Sequence, residues 1–131
     1  MPIILYPTNC FKHAGADVPE GITLTLNNKI TIIENAAFNG SGVANCDFAN
    51  TKLEEIQNLA FEGCTKLTSF TAPATLTRLG ATAFQYCYAV DNVDLSAANI
   101  INIPGKCFIG CTNLNKITFS PNLKNVGTSA F

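Results

Sequence analysis

The chain has 131 residues, of which 47% are hydrophobic and only 13% charged, with a net charge of -1. This length and apolar content fit one domain with a continuous core and exclude a disordered chain. The scattered, nearly balanced charge offers no basic footprint for a nucleic-acid backbone and no polybasic patch for an anionic membrane.

In chain order, the first apolar run is Ile3-Ile4-Leu5-Tyr6, which is bounded by Pro2 and Pro7 and has no basic leader. It is too short for a secretory core or a membrane span, so no direct membrane insertion is expected. Residues 1–20 fit the pattern that follows poorly and are assigned as an N-terminal segment, either cap or tail. Residues 21–131 are assigned to a single repeat domain.

The domain is organised by one phrase. Ala37-Phe38, Ala60-Phe61, Ala83-Phe84, Cys107-Phe108 and Ala130-Phe131 recur at steps of 23, 23, 24 and 23 residues. A fixed period in this range marks a solenoid, in which each unit must stack on its neighbours to bury its apolar face. The unit from Phe61 places Cys64, Leu67, Phe70, Ala72, Leu76 and Leu79 at the offsets that Cys111, Leu114, Ile117, Phe119, Leu123 and Val126 take after Phe108. An extra residue in Ala97-Ala98-Asn99 accounts for the step of 24. The unit from Phe38 is looser, with Val43, Cys46 and Phe48 one residue early and the register restored after Asn50-Thr51-Lys52.

Within a unit, Leu114-x-x-Ile117-x-Phe119 ends in period-2 alternation, which predicts a short strand with one buried face. The later pair, Leu76-x-x-Leu79 or Leu123-x-x-Val126, predicts a second short extended stretch or a turn. The run into the phrase, such as Ile33 to Phe38, has the spacing of about one helical turn, closed by Gly or Tyr. The expected fold is thus a solenoid of about five repeats in the α/β class, built of stacked short parallel strands with short helical turns and loops.

The pattern Ala-Phe-x-x-Cys-x-x-Leu-x-x-Ile, followed by a Leu-x-x-Ile pair before the next phrase, resembles the leucine-rich repeats of BspA-like surface proteins over about residues 21–131. The resemblance implies a curved leucine-rich-repeat solenoid with parallel strands on one face. It also implies a cell-surface or secreted protein that adheres to host or extracellular-matrix proteins, or to glycans, and it carries over no catalytic residues. Phe131 falls inside the phrase, so the chain is expected to be a piece of a longer protein. Its open ladder residues Phe119, Leu123 and Val126 are expected to favour end-to-end self-association.

Six cysteines raise the question of disulfides or a metal. Cys64, Cys87 and Cys111 share one repeat offset and should form a buried column of small apolar side chains. Cys107 stands for Ala in the phrase, Cys46 takes a strand position, and Cys10 is the one expected to be exposed. There is no C-x-x-C pair and the sole histidine, His13, lies far from the column in sequence, so no metal site and no cofactor are expected. His13 has no nucleophile and orienting group to complete a catalytic set, and Glu54-Glu55 and Asp91 to Asp94 lack the ligand density of a calcium loop. An enzyme is therefore not expected.

Alternation points the residues between the core positions outward. Two columns result: Thr23, Asn45, Ser69, Asn92 and Lys116, and beside them Thr25, Asp47, Thr71, Asp94 and Thr118. These are the candidate binding face. All are small or polar, without the Tyr, Trp or Arg anchors of tight interfaces. The expected function is a non-enzymatic protein-binding or adhesion module of a surface protein. The alternatives are a structural spacer and, given the missing export signal, a cytoplasmic scaffold.

Overall fold

The computed structural model describes the backbone of residues 2–5 and 10–11 and all of residues 20–131. Strands form wherever the alternation predicts one, and also at every second apolar pair. In chain order they are β1 Pro2–Leu5, β2 Cys10–Phe11, β3 Ile22–Leu26, β4 Ile32–Ile33, β5 Val43–Asp47 and β6 Glu55–Ile56. They continue as β7 Ser69–Thr71, β8 Arg78–Leu79, β9 Asn92–Asp94, β10 Asn102–Ile103, β11 Lys116–Thr118 and β12 Asn125–Val126. Odd-numbered strands stack in parallel on one side of the coil, in the orders β1-β3-β5 and β7-β9-β11. Even-numbered strands stack on another, as β2-β4-β6-β8 and β10-β12. The chain is a parallel-strand solenoid of about five turns.

The expected helical turns do not form, and among the described residues there is no helix. The reason lies in two left-handed residues that bracket each phrase. Two positions before the phenylalanine, Ala36, Leu59, Thr82, Lys106 and Ser129 have φ between 55° and 60° or slightly above, at 57°, 64°, 60°, 60° and 55°. Two positions after it stand Gly40, Gly63, Tyr86 and Gly110, again at positive φ. A right-handed helix cannot run through such points. The phrase instead lies flat against the next turn: the Phe38 N–H donates to the Ala60 carbonyl at 2.8 Å, Phe61 to Ala83 at 2.8 Å, Phe84 to Cys107 at 2.9 Å and Phe108 to Ala130 at 2.7 Å. The Gly40 and Gly63 amides extend this ladder to Glu62 and Gln85, at 2.7 and 2.8 Å.

This register puts each phenylalanine ring over the next. Consecutive rings from Phe38 to Phe131 stack at 5.4, 5.3, 5.2 and 5.6 Å, with interplanar angles of 11°, 7°, 8° and 7°. Phe84 also meets the tilted ring of Phe70 at 4.7 Å. Leu24, Ile33, Leu53, Ile56, Leu67, Leu76, Val93, Leu95 and Ile100 fill the space between the strands and the phrase, all with no exposed surface.

Both irregular units are accommodated locally. In the looser one, Ile22 pairs with Val43 but Thr23 pairs with Asn45, so Ala44 is a bulged residue. Its carbonyl accepts the Thr68 N–H at 3.1 Å, which links β5 to the next turn. In the longer unit, buried Ser120 accepts the Ile100 N–H at 3.1 Å and donates to the Ala98 carbonyl at 2.6 Å. That unit also interrupts the even-numbered strands. At the position where Gln57, Gly80 and Gly127 each donate an N–H to the preceding turn, the chain has Pro104, which has none. The ladders β2-β4-β6-β8 and β10-β12 separate at this step.

Replacing a ring inside the stack removes contacts on both sides. Phe84→Ala should lower unfolding free energy by about 3–5 kcal/mol in urea titrations. Phe131→Ala, at a ring that is 48% exposed and stacked on one side only, should cost a small fraction of that.

Candidate functional site

The odd-numbered strands carry the candidate face as the alternation predicts. Parallel pairing sets Thr23 opposite Asn45 and Thr25 opposite Asp47, while Ser69, Asn92 and Lys116 fall in one line and Thr71, Asp94 and Thr118 in the next. Asn45, Asp47, Thr71 and Lys116 are exposed and the other six half-buried. The inward neighbours Leu24, Phe70 and Val93 are fully buried, so this side presents only backbone and small polar side chains.

Asp94, Asp47 and Asn45 have work within the fold. Asp94 Oδ1 accepts the Ser96 N–H at 2.9 Å and the Ser96 hydroxyl at 2.6 Å, and these bonds hold its carboxyl below the usual carboxylate range. Asp47 Oδ1 accepts the Ala49 N–H at 3.4 Å. Both turn the chain out of a strand through an Asx-type contact. Asn45 accepts from the Thr68 hydroxyl at 3.3 Å.

The even-numbered side carries one cross-strand ion pair. Glu55 and Arg78 pair across β6 and β8 at 3.5 Å, and Asn125 donates to Asn102 Oδ1 at 2.6 Å across β10 and β12. Glu55 is thus engaged by a cation. Where the ladder breaks at Pro104, a shallow groove of about 310 Å³ opens between Glu55, Thr77, Arg78, Asn102 and Pro104. Among the described residues, no three His, Cys, Asp or Glu side chains are grouped to hold a metal ion, and no helix is long and apolar enough to cross a membrane. His13 and the side chain of Cys10 lie outside the described residues.

The cysteine column is a hydrogen-bonded one. Cys64 Sγ donates to the Phe38 carbonyl at 3.1 Å, Cys87 to Phe61 at 3.1 Å and Cys111 to Phe84 at 3.2 Å, each reaching the turn before its own. Ser41 continues the column, with its hydroxyl 3.5 Å from Cys64 Sγ, a member that alignment on cysteine alone overlooks. All described cysteines are free thiols, and Cys64, Cys87, Cys107 and Cys111 are buried. Burial pushes all four thiols up, Cys111 to about 11. Cys46, half-buried in β5, is raised as well, first by loss of solvent and then by nearby Cys64.

Besides Phe119 and Phe131 at the last turn, two tyrosines are exposed, and the strand columns gave no sign of them. Tyr86 and Tyr88 are 44% and 46% exposed, with ring centroids 6.1 Å apart. Tyr86 takes the left-handed position that glycine holds in three other turns, at φ 61°. For a residue with a Cβ that conformation costs about 1 kcal/mol.

The raised thiols make stability pH-dependent. Below the ordinary thiol value of 9.0 both states are protonated and the contribution is fully present. Above it the unfolded chain ionises first, so stability should fall as pH rises from 9.0 through about 11. Urea midpoints measured at pH 8 and above 9.0 should show this decline. A thiol reagent should label Cys64, Cys87 and Cys107 only as the chain unfolds.

Similarity to known proteins agrees with this geometry. The family model described as a BspA type leucine rich repeat region matches residues 31–131 in six copies. Among solved structures, the chain is similar to a leucine rich cell surface protein of Faecalibacterium prausnitzii, at 21% identity and a TM-score of 0.78, covering 91% of this chain and 32% of that one. It is also similar to the leucine rich repeat protein of T. pallidum, at 18% identity and a TM-score of 0.63, over 96% of this chain and 72% of that one. A leucine-rich repeat protein of Bacteroides ovatus matches at 23% identity and a TM-score of 0.54, over 83% and 33% of the two chains. The chain therefore spans about a third of the length of two of these relatives. A search of curated proteins found no match. With the model covering most of its length and the repeat architecture in place, the chain belongs to the BspA type leucine-rich repeat family.

Proposed function

We propose that this chain is a non-enzymatic protein-binding module of a cell-surface adhesin, and that it meets its partner through the odd-numbered strands. The observation that carries this reading is the pair of polar columns, aligned by strand pairing, over a floor that is fully buried at Leu24, Phe70 and Val93 and half-buried at Cys46 and Ile117. A rigid stack repeats the same small donors and acceptors at each turn, which suits a partner engaged at several equivalent points rather than one deep pocket. One structural relative, from F. prausnitzii, is described as a cell surface protein, and this supports the location. The even-numbered side and the apolar last turn are less suited, the first because its polar side chains pair with one another and the second by its continuity with the core.

Because Asp47 and Asp94 also shape turns, the test is better placed on Thr71 and Asn92, whose outward side chains do not hold the fold. A Thr71→Arg/Asn92→Arg double variant should keep the parent melting temperature and weaken binding to immobilised extracellular-matrix proteins by about tenfold or more. Unchanged binding would assign these strands to spacing alone. Deletion of residues 61–107, which joins Ala60 directly to Phe108, separates the two roles: a spacer keeps its adhesion at shorter length, and a recognition surface loses it.

A further inference from the structure

We infer that Tyr86 and Tyr88 form a separate binding site, on the turn side of the coil, for the C–H-rich face of a neutral sugar ring. The first ground is the backbone. Of the four residues two positions after a phrase phenylalanine, three are glycine and one is Tyr86, in the same left-handed conformation. The turn itself is therefore satisfied by glycine, and the tyrosine is present despite the fold rather than for it. The second ground is the fit to the following turn, where the glycine that a left-handed backbone at φ 77° already favours also accommodates the ring. A Cβ on Gly110 would come within 2.4 Å of Tyr86 Cδ1, so glycine there leaves room for the ring to lie across it. The third is the pairing: Tyr88 stacks with Tyr86 at 6.1 Å and 28°, and because each ring stays 44–46% exposed the pair forms one platform with accessible aromatic surface.

The surroundings select the ligand class. Residues 84–90 and 107–115 contain no charged side chain, Glu62 and Lys66 being the charged groups one turn earlier, and Thr112 and Asn113 on the next turn are exposed hydroxyl and amide groups. An aromatic face is electron-rich and attracts the positively polarised C–H groups of a pyranose, while phenol, hydroxyl and amide groups bond its rim. The platform is isolated: the other exposed large apolar side chains described are Ile101 on the even-numbered side and Phe119, Val126 and Phe131 at the last turn. A protein partner would need a broader patch around its anchors, about 800 Å² on each side. Two rings among small neutral groups match one or two sugar units.

The site is independent of the strand face, and the experiment keeps the two apart. The chain has three tyrosines and no tryptophan, so in a Tyr6→Phe background tyrosine emission reports on the pair alone. Maltoheptaose, cellohexaose and chitohexaose serve as neutral probes, with saturation-transfer NMR to identify the sugar protons in contact. At least one probe should bind in the millimolar range through its ring C–H protons. Tyr88→Ala should weaken it by about tenfold or more. Tyr86→Gly should do the same while melting no lower than the parent, since glycine is the residue the other turns use. Failure of all three sugars to bind, binding unchanged in Tyr88→Ala and in Tyr86→Gly, or a lower melting temperature for Tyr86→Gly would each overturn the assignment. Loss of matrix-protein binding in these variants with no sugar bound would overturn it too, and would leave the strand-face reading standing.

Discussion

Everything in this chain depends on the bond from each phrase phenylalanine N–H to the carbonyl one repeat further on. That bond exists because the phrase is held nearly flat by a left-handed residue on either side, so the phenylalanine amide faces the next turn while the alanine or cysteine amide before it bonds within its own. Once the backbones are tied at this spacing, equivalent side chains must lie over one another. The phenylalanine stack, the thiol column and both strand ladders follow from the same constraint. A change of one residue in the repeat length is tolerated only where another group restores the lost partners, as Ser120 does for the loop at Ala98.

The thiols show how thoroughly the stack uses its residues. A cysteine three positions after each phrase donates to a phenylalanine carbonyl of the preceding turn. Small size and a weak donor are both needed there, and Ser41 meets the same need with a hydroxyl at the start of the column. Raised, buried and unpaired, these groups are protected from the chemistry that exposed thiols undergo.

Much of this was legible in the sequence, because a repeated offset reports a repeated environment. The period gave the solenoid, Leu-x-x-Ile-x-Phe gave the odd-numbered strands, and the outward positions pair in two groups, one on β3 and β5 and the other on β7, β9 and β11. The helical turns were misread because apolar spacing over six residues does not separate one helical turn from a tight bend, and Ala36, Leu59 and Thr82 carry no mark of positive φ. Thiol donors were hidden for a similar reason: position in a column does not say where a hydrogen points. Tyr86 stood in the open as the residue replacing glycine, yet its meaning required the φ angle and the ring lying across Gly110.

Conspicuous residues thus hold the stack, and the surfaces available for recognition lie between them, on the polar strand columns and on a single aromatic corner. Native-state hydrogen exchange tests the underlying constraint most directly. The Phe61 and Phe84 amides should exchange only through global unfolding, with an opening free energy equal to that from denaturant. Glu62 and Gln85, whose amides bond only within their own turns, should exchange faster. Phenylalanine amides that exchange as fast as these neighbours would contradict a fold held together by the phrase ladder.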